Sequence, residues 1–378
     1  MISVIGGGPA GSYVASLLAK DYNTTIYEEH ERIGVPIQCT GIVSKNLQEI
    51  VDLKKSTVNK VKGAFIYSAN EKLELRTNNV QAYVVCRTKF DNYVKETAIN
   101  NGAKIMLGHR FMDYKKTNTV FNDKYSKLKI KMQVKNGDIV KEKLVESDYL
   151  IGADGPNSSV AKSSGLFGKR KFWIGVQATV EGSFDPEMVE VHLGSVCPGF
   201  FAWVVPENES VARIGLACYD KPNYYFQKFM DKLWQRQSTK EPKIVDWQGG
   251  LIPCYDKIQC QKENVFLVGD SGLHVKATTG GGIVMAMLAG QALNESIRTE
   301  KSYDELLQKK VGRDLKMAKT IRTKLDGFND NDYDALLRLL NSGRSAEILK
   351  KAGDMDFPTR FMFKLLLNEP RLLKFAFK

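Results

Sequence analysis

The first twenty residues, MISVIGGGPAGSYVASLLAK, leave this chain little choice of opening. Residues 2–5 read as a short buried strand. Gly6, Gly8 and Gly11 follow in a G-x-G-x-x-G run, and Ala10, Ala15, Leu17 and Leu18 continue as the apolar face of a helix. In a strand–turn–helix unit the first glycine allows the sharp turn. The second lets a pyrophosphate approach the backbone, and the third lets helix and strand pack closely. Pro9 and Ala10 sit inside this turn, where the helix N-terminus offers free N–H groups and a positive dipole end. NTTIYEEH supplies a second strand that ends at Glu28. A carboxylate there accepts hydrogen bonds from ribose hydroxyls and repels a 2′-phosphate. The nucleotide expected is FAD or NAD rather than NADP.

Composition narrows the setting. The chain has 378 residues and six cysteines, with no C-x-x-C pair. That argues against a zinc site and against a secreted disulfide framework. No apolar run approaches the roughly 20 residues of a membrane span. Met1 leads straight into a strand, so no signal peptide is expected, and the expected location is cytoplasmic. Basic residues number 55 against 43 acidic, a net charge of +12. This excess suits an acidic partner: nucleic acid, an anionic membrane surface or a phosphorylated substrate. No RNA-binding signature or zinc finger accompanies it, so nucleic acid is the weakest of these and is not expected as a partner.

Further along, RTKFDNYVKETAINNGAKI reads as a helix from Arg87 that ends at Asn101-Gly102. Leu128, Ile130, Met132 and Val134 then alternate with lysines. Asn136-Gly137 turns this strand back into residues 139–145, a hairpin with one wet, basic face. A short apolar strand at 149–151 runs into Asp154-Gly155. A second, at 265–268, runs into Gly269-Asp270. Both are polar turns at strand carboxyl ends, where open α/β sheets bind ligands. Between them, residues 171–264 carry aromatic and β-branched strand-like runs around one amphipathic helix, YFQKFMDKLWQRQ.

These readings give an α/β fold, two-domain in the α+β sense. A Rossmann-like FAD-binding domain comprises 1–170 and 265–300. An antiparallel-sheet substrate domain is interleaved at 171–264, and a helical C-terminal region spans 301–378. The three fingerprints in order, Gly6-x-Gly8-x-x-Gly11 with Glu28, Asp154-Gly155 and Gly269-Asp270, resemble the aromatic-hydroxylase type of FAD-binding protein. ERIGVPIQCTGIVS, CRTKFD, PGFFAWVVP and HVKATTGGGI together resemble one branch of it, the geranylgeranyl reductases, and within it the archaeal enzymes that saturate digeranylgeranylglycerophospholipids. The likeness covers nearly the whole chain.

The resemblance implies FAD as cofactor. It places Gly6, Gly8, Pro9, Ala10, Gly11, Glu28, Cys39, Gly41, Arg87, Asp154, Gly155, Gly269, Asp270, Gly281, Gly282 and Ile283 at the cofactor, with Asp270 on the ribityl chain. The glycines 280–282 would let backbone approach the isoalloxazine, at a helix N-terminus that stabilises an anionic reduced flavin. Only one G-x-G-x-x-G is present, so no second nicotinamide domain is expected. Phe201, Trp203 and Val205 fall in the family's substrate-contact stretch and would line an isoprenoid tunnel. That stretch departs from the family's Tyr-x-Trp-x-Phe-Pro, since Phe201 lacks the phenol and Val205 replaces an aromatic. The implied reaction is reduction of isoprenoid double bonds by hydride from flavin N5. Cys39 is the candidate catalytic residue, as proton donor, redox partner or lid residue. His274, near the Gly-Asp turn, is expected to be structural.

The substrate implied is a prenylated lipid, and the electron donor is NADPH, a ferredoxin or a deazaflavin. Two other readings share the fingerprints: an FAD-dependent monooxygenase, and an electron-transfer flavoprotein reducing a quinone. The second would be expected to carry an iron–sulfur cysteine cluster, which this chain lacks. The C-terminal end interleaves Phe357, Phe361, Phe363, Leu365, Leu366, Leu372, Leu373 and Phe375 with Lys364, Arg371, Lys374 and Lys378. A basic amphipathic end of this kind reads as helical packing or as peripheral docking at the inner face of the cell membrane.

Overall fold

The computed structural model describes residues 1–117, 127–137, 139–235 and 242–375; Lys378 and the last two residues of the YFQKFMDKLWQRQ stretch lie outside them. Two large sheets organise the chain. The first has six strands in the spatial order Gln261–Lys262, Val265–Leu267, Tyr149–Gly152, Ile2–Ile5, Thr24–Tyr27, Lys104–Met106. All neighbours are parallel except the edge strand Gln261–Lys262. Parallel strands covered on both faces read as short continuous apolar runs, and Ile2, Val4, Ile26, Leu150, Ile151 and Leu267 are fully buried here. Helix α1 (Pro9–Leu18) follows the first strand and α2 (Arg87–Asn100) precedes the last. The carboxyl ends of four adjacent strands therefore carry, side by side, Gly6–Gly8, Glu28, Ala153–Gly155 and Gly269-Asp270. Helix α3 (Ser159–Ser164) lies just beyond.

The second sheet has seven strands, in the order Lys243–Pro253, Phe172–Glu181, Val211–Cys218, Phe201–Pro206, Met188–His192, Gly63–Tyr67, Lys72–Arg76. It is antiparallel except where Met188–His192 runs parallel to Gly63–Tyr67. Its last two strands come from residues 63–76, well before 171–264. Alternation along a strand sends successive side chains to opposite faces. Ala202 and Val204 face helix α4 (Pro222–Trp234) and join Phe226, Phe229 and Met230 in one core. Phe201, Trp203 and Val205 therefore face the other way, into a cavity.

Helix α5 (Ile283–Thr299) returns to the first sheet after the three glycines. Beyond it come α6 (Tyr303–Leu307), α7 (Arg313–Leu325), α8 (Asp330–Asn341), α9 (Ser345–Ala352) and α10 (Thr359–Asn368). The last helices build a small core of their own from Ile348, Leu365, Leu372 and Phe375. The basic hairpin forms as read, pairing Leu128 with Ser147 and Asn136 with Ile139. The strand His109–Lys116 joins it in a three-stranded sheet.

Candidate active site

The glycines of the first turn divide their work. A Cβ on Gly6 (φ +100°) would collide with the Ala153 carbonyl, and one on Gly11 with the Gly6 carbonyl. These two glycines let turn, helix and neighbouring loop touch. Gly8 differs: nothing lies within 4 Å of where its Cβ would be, and it lines the cavity. Glu28 is held in place from both sides. One oxygen accepts the Gly7 N–H at 2.7 Å and the other accepts the His30 N–H at 2.9 Å. Asp154 lines the cavity, but its carboxylate is taken up by the start of α3, accepting from Ser158 Oγ at 2.6 Å and from the Val160 N–H at 3.0 Å. Gly155 beside it is open, with a φ of +76°.

Asp270 is the exception among these carboxylates. Its backbone carbonyl accepts the Leu273 N–H at 3.1 Å, but among the described residues no donor hydrogen-bonds its carboxylate oxygens. Burial pushes its carboxyl up to about 6, against the pull of the Arg87 and Arg170 guanidinium groups. Arg170 also ties the loops together, donating to the Ser271 carbonyl at 2.7 Å and the Pro156 carbonyl at 3.1 Å. Arg87 sits at the start of α2 and pairs with Asp91 one turn on, at 3.0 Å. Burial works against its charge, but the Cys39 sulfur and the Asp91 carboxylate beside it hold it above the usual arginine range.

Cys39 lies on the cavity wall, its sulfur accepting the Gly41 N–H at 3.3 Å. Gly41 itself is not on that wall. Its φ of +75° and the absence of a side chain make room for Arg213 Nη1 and the Val85 carbonyl, each 2.6 Å from where its Cβ would be. The glycine placed at the cofactor by resemblance thus serves an internal arginine. His274 turns into the core, where its Nδ1 accepts the Gly269 N–H at 3.1 Å. Burial lowers its pKa to about 3, so it stays neutral and holds the Gly-Asp turn.

Each of the three glycines before α5 is pressed by a different neighbour. A Cβ on Gly280 would stand 3.2 Å from the Phe200 ring, one on Gly281 3.2 Å from Lys276 Cε, and one on Gly282 3.2 Å from Asp270 Oδ1. Part of the reason for three glycines is therefore the protein's own close packing. The helix they introduce has no side-chain cap, and Ile283 opens it on the cavity wall. Lys276 was not among the residues marked by sequence. Its ammonium forms a buried ion pair with Asp356, which also accepts from Ser44 Oγ and, at 2.9 Å, from Asn46. Asp356 is held below the usual carboxylate range: burial opposes its charge, and Lys276 and these hydrogen bonds outweigh it. This knot fastens the C-terminal segment to the turn.

The apolar end of the cavity is faced by Phe201, Trp203 and Val205 together with Ile66, Leu75 and Val189. Trp203 Nε1 donates to Gln177 Oε1 at 2.9 Å, and Thr40 donates to the same oxygen at 2.6 Å. Rings connect this end to the turn. Phe201 stacks on Phe200 at 4.3 Å between centroids, and Phe200 in turn touches Trp173. The cavity is continuous from Gly8 and Asp270 to Trp203, about 970 Å³ in all. Among the described residues no cluster of His, Cys, Asp or Glu is arranged to hold a metal ion.

The open backbone at Gly8, the uncapped start of α5 and the unpartnered Asp270 fit a dinucleotide laid across the strand ends. The FAD binding domain family model matches residues 1–297. Digeranylgeranylglycerophospholipid reductase 2 of Methanothermobacter thermautotrophicus is 30% identical to this chain, over 99% of the chain and 97% of its own length. The chain belongs to the geranylgeranyl reductase family of FAD-binding proteins. A digeranylgeranylglycerophospholipid reductase of Methanosarcina acetivorans is 28% identical over 89% of this chain and 87% of its own. A geranylgeranyl bacteriochlorophyll reductase-like protein from Thermoplasma acidophilum shares the fold, with a TM-score of 0.81 at 22% identity, covering 99% of this chain and 98% of that one. This family member is an FAD-dependent oxidoreductase. Among its described residues no helix is long and apolar enough to cross a membrane.

Proposed function

We propose that this protein reduces carbon–carbon double bonds in the geranylgeranyl chains of an archaeal-type membrane-lipid precursor, a digeranylgeranylglycerophospholipid. The observation that carries this reading is the continuity of one large cavity. One end offers backbone donors and an acceptor carboxylate, and the other is apolar and aromatic, with the uncapped start of α5 between them. An apolar site with few convergent polar groups suits a long hydrocarbon that must be placed rather than gripped. The relatives' names supply the substrate class.

Reduced FAD supplies the hydride equivalent, from N5. The chain's residues do the rest. Gly8 and the N-terminus of α1 receive the pyrophosphate, Glu28 the adenosine ribose and Asp270 the ribityl hydroxyls. Phe201, Trp203 and Val205 hold the alkene-bearing chain and exclude water. An isolated trisubstituted alkene is a poor electrophile, so a proton must arrive at one carbon as hydride reaches the other. Cys39 Sγ–H is the proton-bearing group assigned here, because the thiolate it leaves would face the Arg87 guanidinium. The electrons come from NADPH, a ferredoxin or a deazaflavin. A substrate of this kind resides in a bilayer, which places the enzyme peripherally at the inner face of the cell membrane.

The test is anaerobic. The yellow protein is reduced with dithionite and mixed with a digeranylgeranyl phospholipid, and mass spectrometry follows the lipid. Stepwise gains of one H2 per double bond are expected. Unchanged lipid, with flavin bound and reduced, would overturn the reading. Oxygen-dependent hydroxylation instead would favour a monooxygenase.

A further inference from the structure

Helix α10 has two faces. Leu365 is buried in the small C-terminal core with Ile348, Leu372 and Phe375, and Phe361 and Leu366 pack against that core. Arg360, Phe363, Lys364 and Leu367 recur at helical spacing on the opposite side, and all four are exposed. Phe363 is 72% and Leu367 64% exposed. Just before the helix, Met355 is 54% exposed and also lines the cavity, as does Phe361. The outward face and the cavity rim are therefore formed by one short stretch of chain.

Charge is sorted around this face. Asp356 is spent on Lys276, and Asp354 is mostly buried, with Asn46 at 3.0 Å and Arg360 at 3.6 Å. Glu369 is buried against Arg371. Of the carboxylates in residues 341–375 only Glu347, on α9, is exposed. Lys351, Lys364, Arg371 and Lys374 are exposed as well. Large apolar side chains between outward cations, with the carboxylates mostly drawn inward, match the interface of an anionic bilayer.

We propose that the outward face of α10 docks on an anionic membrane. Phe363 and Leu367 enter the headgroup boundary, Lys364 and Lys374 face lipid phosphates, and the cavity rim at Met355 is held at the surface. The purpose of this docking rests on the lipid-reductase reading, but its measurement does not, because vesicle binding is read without turnover.

The experiment uses the full-length holoenzyme and co-sedimentation with vesicles of phosphatidylcholine, alone or mixed with phosphatidylglycerol, at low and high salt. The wild type is expected to bind the anionic vesicles, less so at high salt. The double variant Phe363→Ser/Leu367→Ser is expected to bind about tenfold or more weakly, with its flavin spectrum and its turnover of detergent-dispersed lipid unchanged. A control, Ile139→Ser/Leu144→Ser on the exposed basic hairpin, is expected to bind as wild type. Should the double variant lose its flavin, Phe363→Ser and Lys374→Glu each report the same loss. The proposal falls if the wild type ignores anionic vesicles, if the α10 variants bind as well as wild type, or if the control loses binding equally. It also falls if the wild type is a dimer that the double variant dissolves, since a second copy would then cover the face. Vesicle binding without lipid reduction would leave this proposal standing and remove the reductase reading.

Discussion

The two ends of the cavity are built by different means. The nucleotide end is made of backbone: strand termini, glycine turns and helix N-termini, with Glu28 and Asp154 locked by local donors. The apolar end is made of side chains that meet only through the seven-stranded sheet and the C-terminal helices. Backbone sites tolerate almost no added atom, whereas a side-chain wall tolerates any residue that keeps it apolar and about as large. The family departure at Phe201 and Val205 falls at the tolerant end.

The strongest test of this contrast is Gly8→Val. Its Cβ meets no protein atom, so the apo fold and its melting temperature should hold while FAD affinity drops by about 100-fold or more, a loss of roughly 3 kcal/mol. Titration of apoprotein with FAD reads this directly, and parallel loss of folding would erase the distinction between Gly8 and Gly11. Next in size is Trp203→Glu. A carboxylate in the apolar wall should cut lipid turnover by about 100-fold and leave FAD content unchanged; if flavin is lost as well, the two ends are not separable.

Lys276→Met tests the joint between them. It leaves Asp356 buried without its cation, a cost of about 3 kcal/mol, visible as a lower denaturation midpoint and faster proteolysis of the segment after α9. An unchanged midpoint would mean the knot holds nothing. Acidification gives a smaller effect. Asp270, raised to about 6, loses its charge as pH falls through that value, so FAD should bind about tenfold more weakly near pH 5 than near pH 7. Because the native carboxyl binds its proton more tightly than the unfolded one, the same group favours the apo fold at low pH. That contribution is lost as pH rises through about 6. Asp270→Asn should flatten both trends. Smallest of all, Val205→Phe should shift preference among chain lengths by a few-fold without touching flavin affinity.

Much of the nucleotide end could be read directly from consecutive residues. The first strand, the glycine turn, Glu28, the helix at Arg87 and the hairpin at 128–145, extended by two residues to Ser147, stand where periodicity and turn chemistry put them. The chamber was less legible. The strands Gly63–Tyr67 and Lys72–Arg76 join a sheet whose other members begin only at Phe172. The strand Lys243–Pro253 carries two central glycines and exposed apolar residues that blur any alternation. Gly41 carries a motif-like signal, yet it makes room for Arg213, whereas His274 is structural, as expected.

The sequence by itself determined the nucleotide fold and its cofactor class, because a strand, a turn with positive φ and a helix start are local conformations encoded by adjacent residues. Only the tertiary structure decided that Lys276 meets Asp356, that Gln177 and Trp203 share a hydrogen bond in the cavity wall, and that Phe363 and Leu367 face outward beside the cavity rim. Those relations depend on how separate segments are brought together, and burial and pairing across such distances leave no period or spacing in the chain to read.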